Sequence, residues 1–196
     1  MASHTIQHPR PSTAVTDDQW LQTYYLLRAA VAGVWVAAAF IVGTQVSTVA
    51  AVLLLIYPAW DAVANYIDAQ RTGGLTQNPT QSLNVAVSLL TTVAVAIGLA
   101  MSMNAVLGVF GVWASLSGIF QLATGVRRWK GHGAQWAMIL SGAQSALVGV
   151  TFLKQANAPE VPGIADIAPY AAFGALYFLI SAVWLLVAEA RRRLPA

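Results

Sequence analysis

Long apolar stretches broken by short polar links organise this chain. Six stretches reach the roughly 20 residues that a helix needs to cross a hydrocarbon core of about 30 Å. They run over about Tyr24–Val42, Thr48–Asp68, Leu83–Met101, Ala105–Val126, Gln135–Leu153 and Pro169–Ala188. Alanine, valine and leucine dominate them. Backbone groups in lipid must be satisfied within the segment, so each stretch predicts a transmembrane helix. The fold class expected is therefore all-α: a polytopic membrane protein with six spans. Residues 1–19 are polar, contain Pro9 and Pro11, and lack the apolar stretch of a signal peptide. They predict a disordered or surface-lying tail before a transmembrane domain over residues 20–193.

The polar residues between the spans set the orientation. An even number of spans puts both termini on one face, together with the links after the second and fourth helices. That face collects Arg10, Arg28, Arg71, Arg127, Arg128, Lys130, Arg191, Arg192 and Arg193, whereas the opposite face has only Lys154. Such asymmetry predicts cytoplasmic termini. Trp20, Tyr24, Trp129 and Trp136 fall near the same face, where an aromatic belt belongs. The expected partners are membrane lipids, with the basic links against anionic headgroups, and either a second copy or another membrane protein against the apolar faces.

Composition narrows the classes further. Only 9% of residues are charged and 58% are hydrophobic, against about 25% charged in soluble domains. The formal net charge of +3 gives no basis for nucleic-acid binding. With no cysteine in the chain, disulfides and thiolate chemistry are excluded. His4 and His8 in the tail lack a third ligand, and His132 sits in a basic link, so no metal site is expected. There is no phosphate-binding glycine loop, zincin pair or nucleophile elbow. Neither a catalytic centre nor a cofactor is expected.

Aligning the even-numbered helices on Arg71, Arg127 and Arg191 reveals a repeat. Fourteen residues before each stand Tyr57, Trp113 and Tyr177; ten before, Asp61, Ser117 and Ser181; six before, Asn65, Gln121 and Leu185. Steps of four follow one helical face. The chain thus reads as three helical hairpins, over about 20–71, 82–130 and 135–193. Hairpins with an aromatic and a small polar residue in the second helix, closed by arginine, resemble the HdeD-like family of short-repeat bacterial membrane proteins. The closest stretch, Leu107 to Val150, has Ser117-Gly118, Arg127-Arg128 and Ser141-Gly142. The resemblance implies a six-helix bacterial inner-membrane protein without enzymatic activity, in a family whose founding member is associated with acid resistance. Asp61, Asp68 and the long link Gln70–Gln81 depart from the family's usual pattern.

Two sets of residues invite a role. Gly111, Ser115, Gly118 and Gly125 in the fourth helix, facing Gly142, Ala146 and Gly149 in the fifth, form smooth faces that suit close packing; a substrate groove is the alternative. In the second helix Tyr57, Asp61, Asn65 and Asp68 share one side, just after Pro58. Ionisable groups at such depth are functional candidates by default, or partners in a structural pair. Arg28 lies seventeen positions before Gln45, the centre of the first turn, and Asp61 sixteen after it. Equal depth predicts that the two meet, and the same construction sets Ser88 opposite Ser117. Arg28, Asp61, Asn65, Asp68, Ser117 and Gln121 define an intramembrane polar cluster. It is either a dry staple or a path for a proton or small solute.

Overall fold

The computed structural model describes the backbone over residues 11–130 and 135–193, and side chains over 19–130 and 135–192. Six long helices follow one another: α1 (Pro11–Ala38), α2 (Ser47–Arg71), α3 (Pro79–Met101), α4 (Met103–Arg128), α5 (Gln135–Gln155) and α6 (Ile164–Arg193). All six are long and apolar enough to cross a membrane, so this is an all-α, six-span protein. His4, His8, Arg10 and His132 lie outside the described residues.

The helices overrun the boundaries expected from hydropathy, for local reasons. Helix α1 begins at Pro11, inside the segment read as a polar tail. Proline at the start of a helix forfeits only an N–H that has no intrahelical partner there. At its other end α1 relaxes into a π-turn over Ala39–Gly43, where Thr44 N–H reaches back to the Ala39 carbonyl at 3.1 Å. Helix α3 starts at Pro79, and Asn78 before it donates to the Thr72 and Gly74 carbonyls at 2.9 Å each. Gly73 and Gly74, at φ 106° and 89°, make the turn that brings those carbonyls round. The long link after α2 is therefore folded tightly against it. Helix α6 starts ahead of Pro169 because Asp166 accepts the Gly163 N–H at 2.7 Å, half of a capping box.

The helices form a ring in the order α1, α6, α5, α4, α3, α2. Contact is closest between α4 and α5, extensive for α1 with α6 and for α2 with α3, and sparse between α1 and α2. The second hairpin, α3 with α4, packs along its length; in the first and third the better-packed neighbours lie in another hairpin. Side chains explain the difference. On α4 and α5 the glycines meet: a Cβ at Gly118 would stand 2.5 Å from the Gly142 carbonyl oxygen, and one at Gly149 2.6 Å from that of Gly111. Ser115 and Ser145 each donate across this seam, to the Ala146 carbonyl at 3.5 Å and the Ala114 carbonyl at 2.9 Å. Without a hydrophobic drive between helices in lipid, such backbone approach is what holds them. Between α1 and α2 stand large or charged side chains, Arg28 and Trp35 against Asp61 and Tyr57.

The bundle is apolar outside and polar inside. Leu147 and Leu90 are 70% and 69% exposed, whereas Asp61 is 7% exposed and Ser88 fully buried. Lipid, not water, suits that exterior. One apolar cluster, drawing on all six helices through residues such as Trp35, Leu54, Val95, Phe110, Phe152 and Ile167, fills the end away from the termini. A smaller one, including Tyr25, Met138 and Phe178, lines the other end beside α1 and α6. The polar interior lies between them.

Candidate functional site

Two carboxylates organise that interior. Arg28 of α1 forms an ion pair with Asp61 of α2, while its second terminal nitrogen donates to the Tyr24 hydroxyl at 3.0 Å. The guanidinium carbon stands 4.4 Å from the centroid of Phe178, a cation–π contact made by a desolvated charge. The other Asp61 oxygen accepts from Ser88 at 2.8 Å, Asn65 at 3.1 Å and Asn84 at 3.3 Å. A buried charge is tolerated when it is paired and its remaining lone pairs are satisfied; Asp61 meets both conditions. Ser88 in turn accepts the Trp113 indole N–H at 2.9 Å.

Two turns nearer the termini stands the second centre. Arg128, at the end of α4, reaches back to Asp68 at 2.8 Å, and Gln81 donates to the same carboxylate oxygen at 3.3 Å. Gln81 accepts from Arg127 at 2.7 Å and from Thr80 at 2.9 Å, and Thr80 meets Thr124 at 2.9 Å. A polar network thus runs along the inner faces of α2, α3 and α4 toward the termini.

Between the two centres lies a cavity of about 100 Å³, lined by residues from all six helices. This is room for several waters, since one needs roughly 10–15 Å³ on the same measure. The end facing away from the termini is walled by rings: Tyr57 against Trp35 at 4.7 Å and Trp113 at 5.6 Å, and Trp113 against Tyr170 at 6.2 Å. Three lining residues carry a buried oxygen with no hydrogen-bond partner: Asp68 Oδ1, Asn84 Oδ1 and Ser117 Oγ. The remaining unpartnered buried atoms, on Trp20, Gln22 and Ser181, belong to residues outside the lining. Among the described residues no three His, Cys, Asp or Glu side chains converge as a metal ion requires.

Sequence reasoning placed Arg28, Asp61 and Asn65 in one cluster, and they touch. Asp68 belongs to the second centre. Ser117 and Gln121 line the same cavity, but Ser117 does not pair with Ser88, whose hydroxyl goes to Asp61; Gln121 donates to the Met138 carbonyl at 3.3 Å. Gly111, Ser115, Gly118, Gly142 and Gly149 form the α4–α5 seam, and Gly125 packs on Ile139. The proline in α2 removes the donor that Leu54 would have received, but the Trp35 indole takes the neighbouring Leu53 carbonyl, at 2.7 Å. Missed were Gln81 and Asn84, although with Ser88 their spacing of three and four makes a polar stripe on one face of α3. Arg127 and Arg128 also enter the network, although their place in a basic link suggests only a part in orientation.

Comparison with known proteins bears on the middle of this ring. Residues 85–154 match the family described as "Short repeat of unknown function (DUF308)". This is the family in which HdeD proteins fall. The match spans less than half of the chain, from α3 through α4 to the end of α5, and so takes in the glycine seam, Ser88, Trp113 and Ser117. No curated protein and no solved structure matches the chain.

Proposed function

We propose that this chain is a non-enzymatic, HdeD-like protein of the bacterial inner membrane, with cytoplasmic termini, whose inner chamber takes up a small polar solute from the side of the termini. The observation that carries the reading is the trio of unpartnered oxygens on lining residues. Each such buried atom costs about 1–3 kcal/mol when left dry, whereas a water or solute removes that cost. The aromatic wall at the far end supports access from one side. The non-enzymatic part is supported by the carboxylates, each engaged by an arginine, and by the Ser88 hydroxyl beside Asp61, which is held between that carboxylate and the Trp113 indole. Lipid is the standing partner, with Arg71, Lys130 and Arg191 against anionic headgroups.

The absence of cysteine makes a direct test simple. Ser117→Cys in the full chain should react with a membrane-impermeant thiol reagent in inside-out vesicles and resist it in right-side-out ones. Ser181→Cys, buried away from the lining, should resist it in both. Equal resistance of both cysteines would mean a dry bundle; labelling from the outer side would reverse the orientation. The envelope or acid-stress part of the HdeD-like reading is checked separately: a deletion strain should survive low pH less well than its parent.

A further inference from the structure

The unpartnered groups in the chamber are one-sided in their chemistry. Asp68 Oδ1 and Asn84 Oδ1 can only accept, because the Asn84 amide nitrogen already donates to Asp61. Ser117 can accept as well as donate. All three side chains are more than nine-tenths buried, at 3%, 8% and 8% exposure. The cationic groups of the chamber are already engaged: Arg28 by Asp61, Tyr24 and Phe178, and Arg128 by Asp68. An anion entering here would meet two carboxylates. A guest complementary to these oxygens must donate hydrogen bonds.

Its charge follows from the same wall. Asp68 concentrates both of its donors, Arg128 and Gln81, on Oδ2, which leaves Oδ1 a carboxylate acceptor with no hydrogen-bond donor. Aromatic rings of Tyr57, Trp60, Trp113, Tyr170 and Tyr177 complete the lining, and ring faces attract cations through their quadrupole. The protein's own Arg28 already uses the chamber in this way, set between Phe178 and a carboxylate.

We infer that the chamber is a binding site for a small N–H-bearing monocation, an ammonium or short alkylammonium ion, with Asp68, Asn84 and Ser117 as the acceptors its lining offers. This rests on the reading of the chamber as solute-accessible. Ammonium and ethylammonium share the donor chemistry; the rings add an apolar face that favours the alkyl form, so ethylammonium binds more tightly of the two.

The test uses the full chain in lipid nanodiscs at pH 7, where alkylamines are protonated, and follows tryptophan fluorescence and thermal stability. The probes are the chlorides of ammonium, ethylammonium and tetramethylammonium, with acetamide and sodium acetate. Expected is saturable binding of ethylammonium, weaker binding of ammonium, and none of the other three. Loss of a charge-assisted hydrogen bond in Asp68→Asn should weaken ethylammonium about tenfold or more. Ser117→Ala, which removes a hydroxyl that nothing in the fold uses, should fold normally and weaken it several-fold; this variant decides alone if Asp68→Asn does not fold. Unchanged affinity in Ser117→Ala, or equal binding of acetamide, acetate or tetramethylammonium, overturns the inference. If no probe binds while Ser117→Cys is labelled from the terminal side, the ligand class is wrong and the chamber stands. If no probe binds and the cysteine is silent, both fall.

Discussion

Removing Asp61 should do far more damage than removing Arg28, although the two form one ion pair. Asp61 gathers four side-chain donors, from Arg28, Asn65, Asn84 and Ser88. In Asp61→Ala the guanidinium keeps only Tyr24 and the Phe178 ring, and the other three donors lose a partner. An unpaired buried charge costs about 3–5 kcal/mol. Orphaned neutral donors add to that, but hydrogen bonds within membranes average only about 0.6 kcal/mol, since the unfolded inserted chain also finds partners. A total of about 4–6 kcal/mol follows. In Arg28→Ala the carboxylate retains three neutral donors, which makes about 2–3 kcal/mol the expected cost. At about 2–4 °C per kcal/mol for a chain of this size, Asp61→Ala should melt at least about 8 °C below the parent. Arg28→Ala should fall roughly half as far. The double replacement Arg28→Met with Asp61→Leu removes both charges and should melt above Asp61→Ala. Thermal unfolding in one detergent, followed by size-exclusion of the soluble fraction, reads all four proteins. Equal losses in the two single variants, or strictly additive losses in the double, would falsify this account of the pair.

The α4–α5 seam gives a sharper steric test: Gly118→Val must drive backbones apart and should abolish folded yield, whereas Gly33→Ala, with nothing within 4 Å of the added Cβ, should leave it unchanged. Arg128→Ala removes the charge partner of the buried Asp68 and should cost about 3–5 kcal/mol; a melting shift below about 3 °C would refute this. Arg71→Ala is a milder change, since the exposed Arg71 only stacks on Trp20 at 4.9 Å, and should cost at most about 1 kcal/mol. Trp35→Phe keeps the ring against Tyr57 but loses the bond to the Leu53 carbonyl, and a loss of about 1 kcal/mol is expected.

Span number and the depth of the first pair were legible because both follow from arithmetic along the chain. Hydrophobic length counts spans, and distance from a turn fixes depth. The ring order was not legible, because it depends on which faces meet. The glycines of α4 and α5 announced a smooth face, yet no residue announced that α1 would lean on α6 rather than α2. The same limit explains Ser88. Its depth matched that of Ser117, but helix rotation turned its hydroxyl to Asp61. The role of Arg128 was not legible because a position beside a link suggests exposure, whereas Arg128 pairs with Asp68. A long side chain at a helix end can turn back along its own helix, and here a buried carboxylate one bundle-width away rewards it.

The pairing of Arg28 with Asp61 and of Arg128 with Asp68 has an electrical consequence. Each pair cancels its own charge, so these four groups present no net charge to the potential across the membrane. A shift of the helices that carries a pair intact therefore performs no work against the field. A monovalent guest is different: one elementary charge crossing the whole field is worth about 2.3 kcal/mol per 100 mV. With the termini on the cytoplasmic side, as proposed, a cation entering toward Asp61 leaves the negative side and moves against part of that drop. Voltage then acts on occupancy of the chamber while leaving the empty protein indifferent.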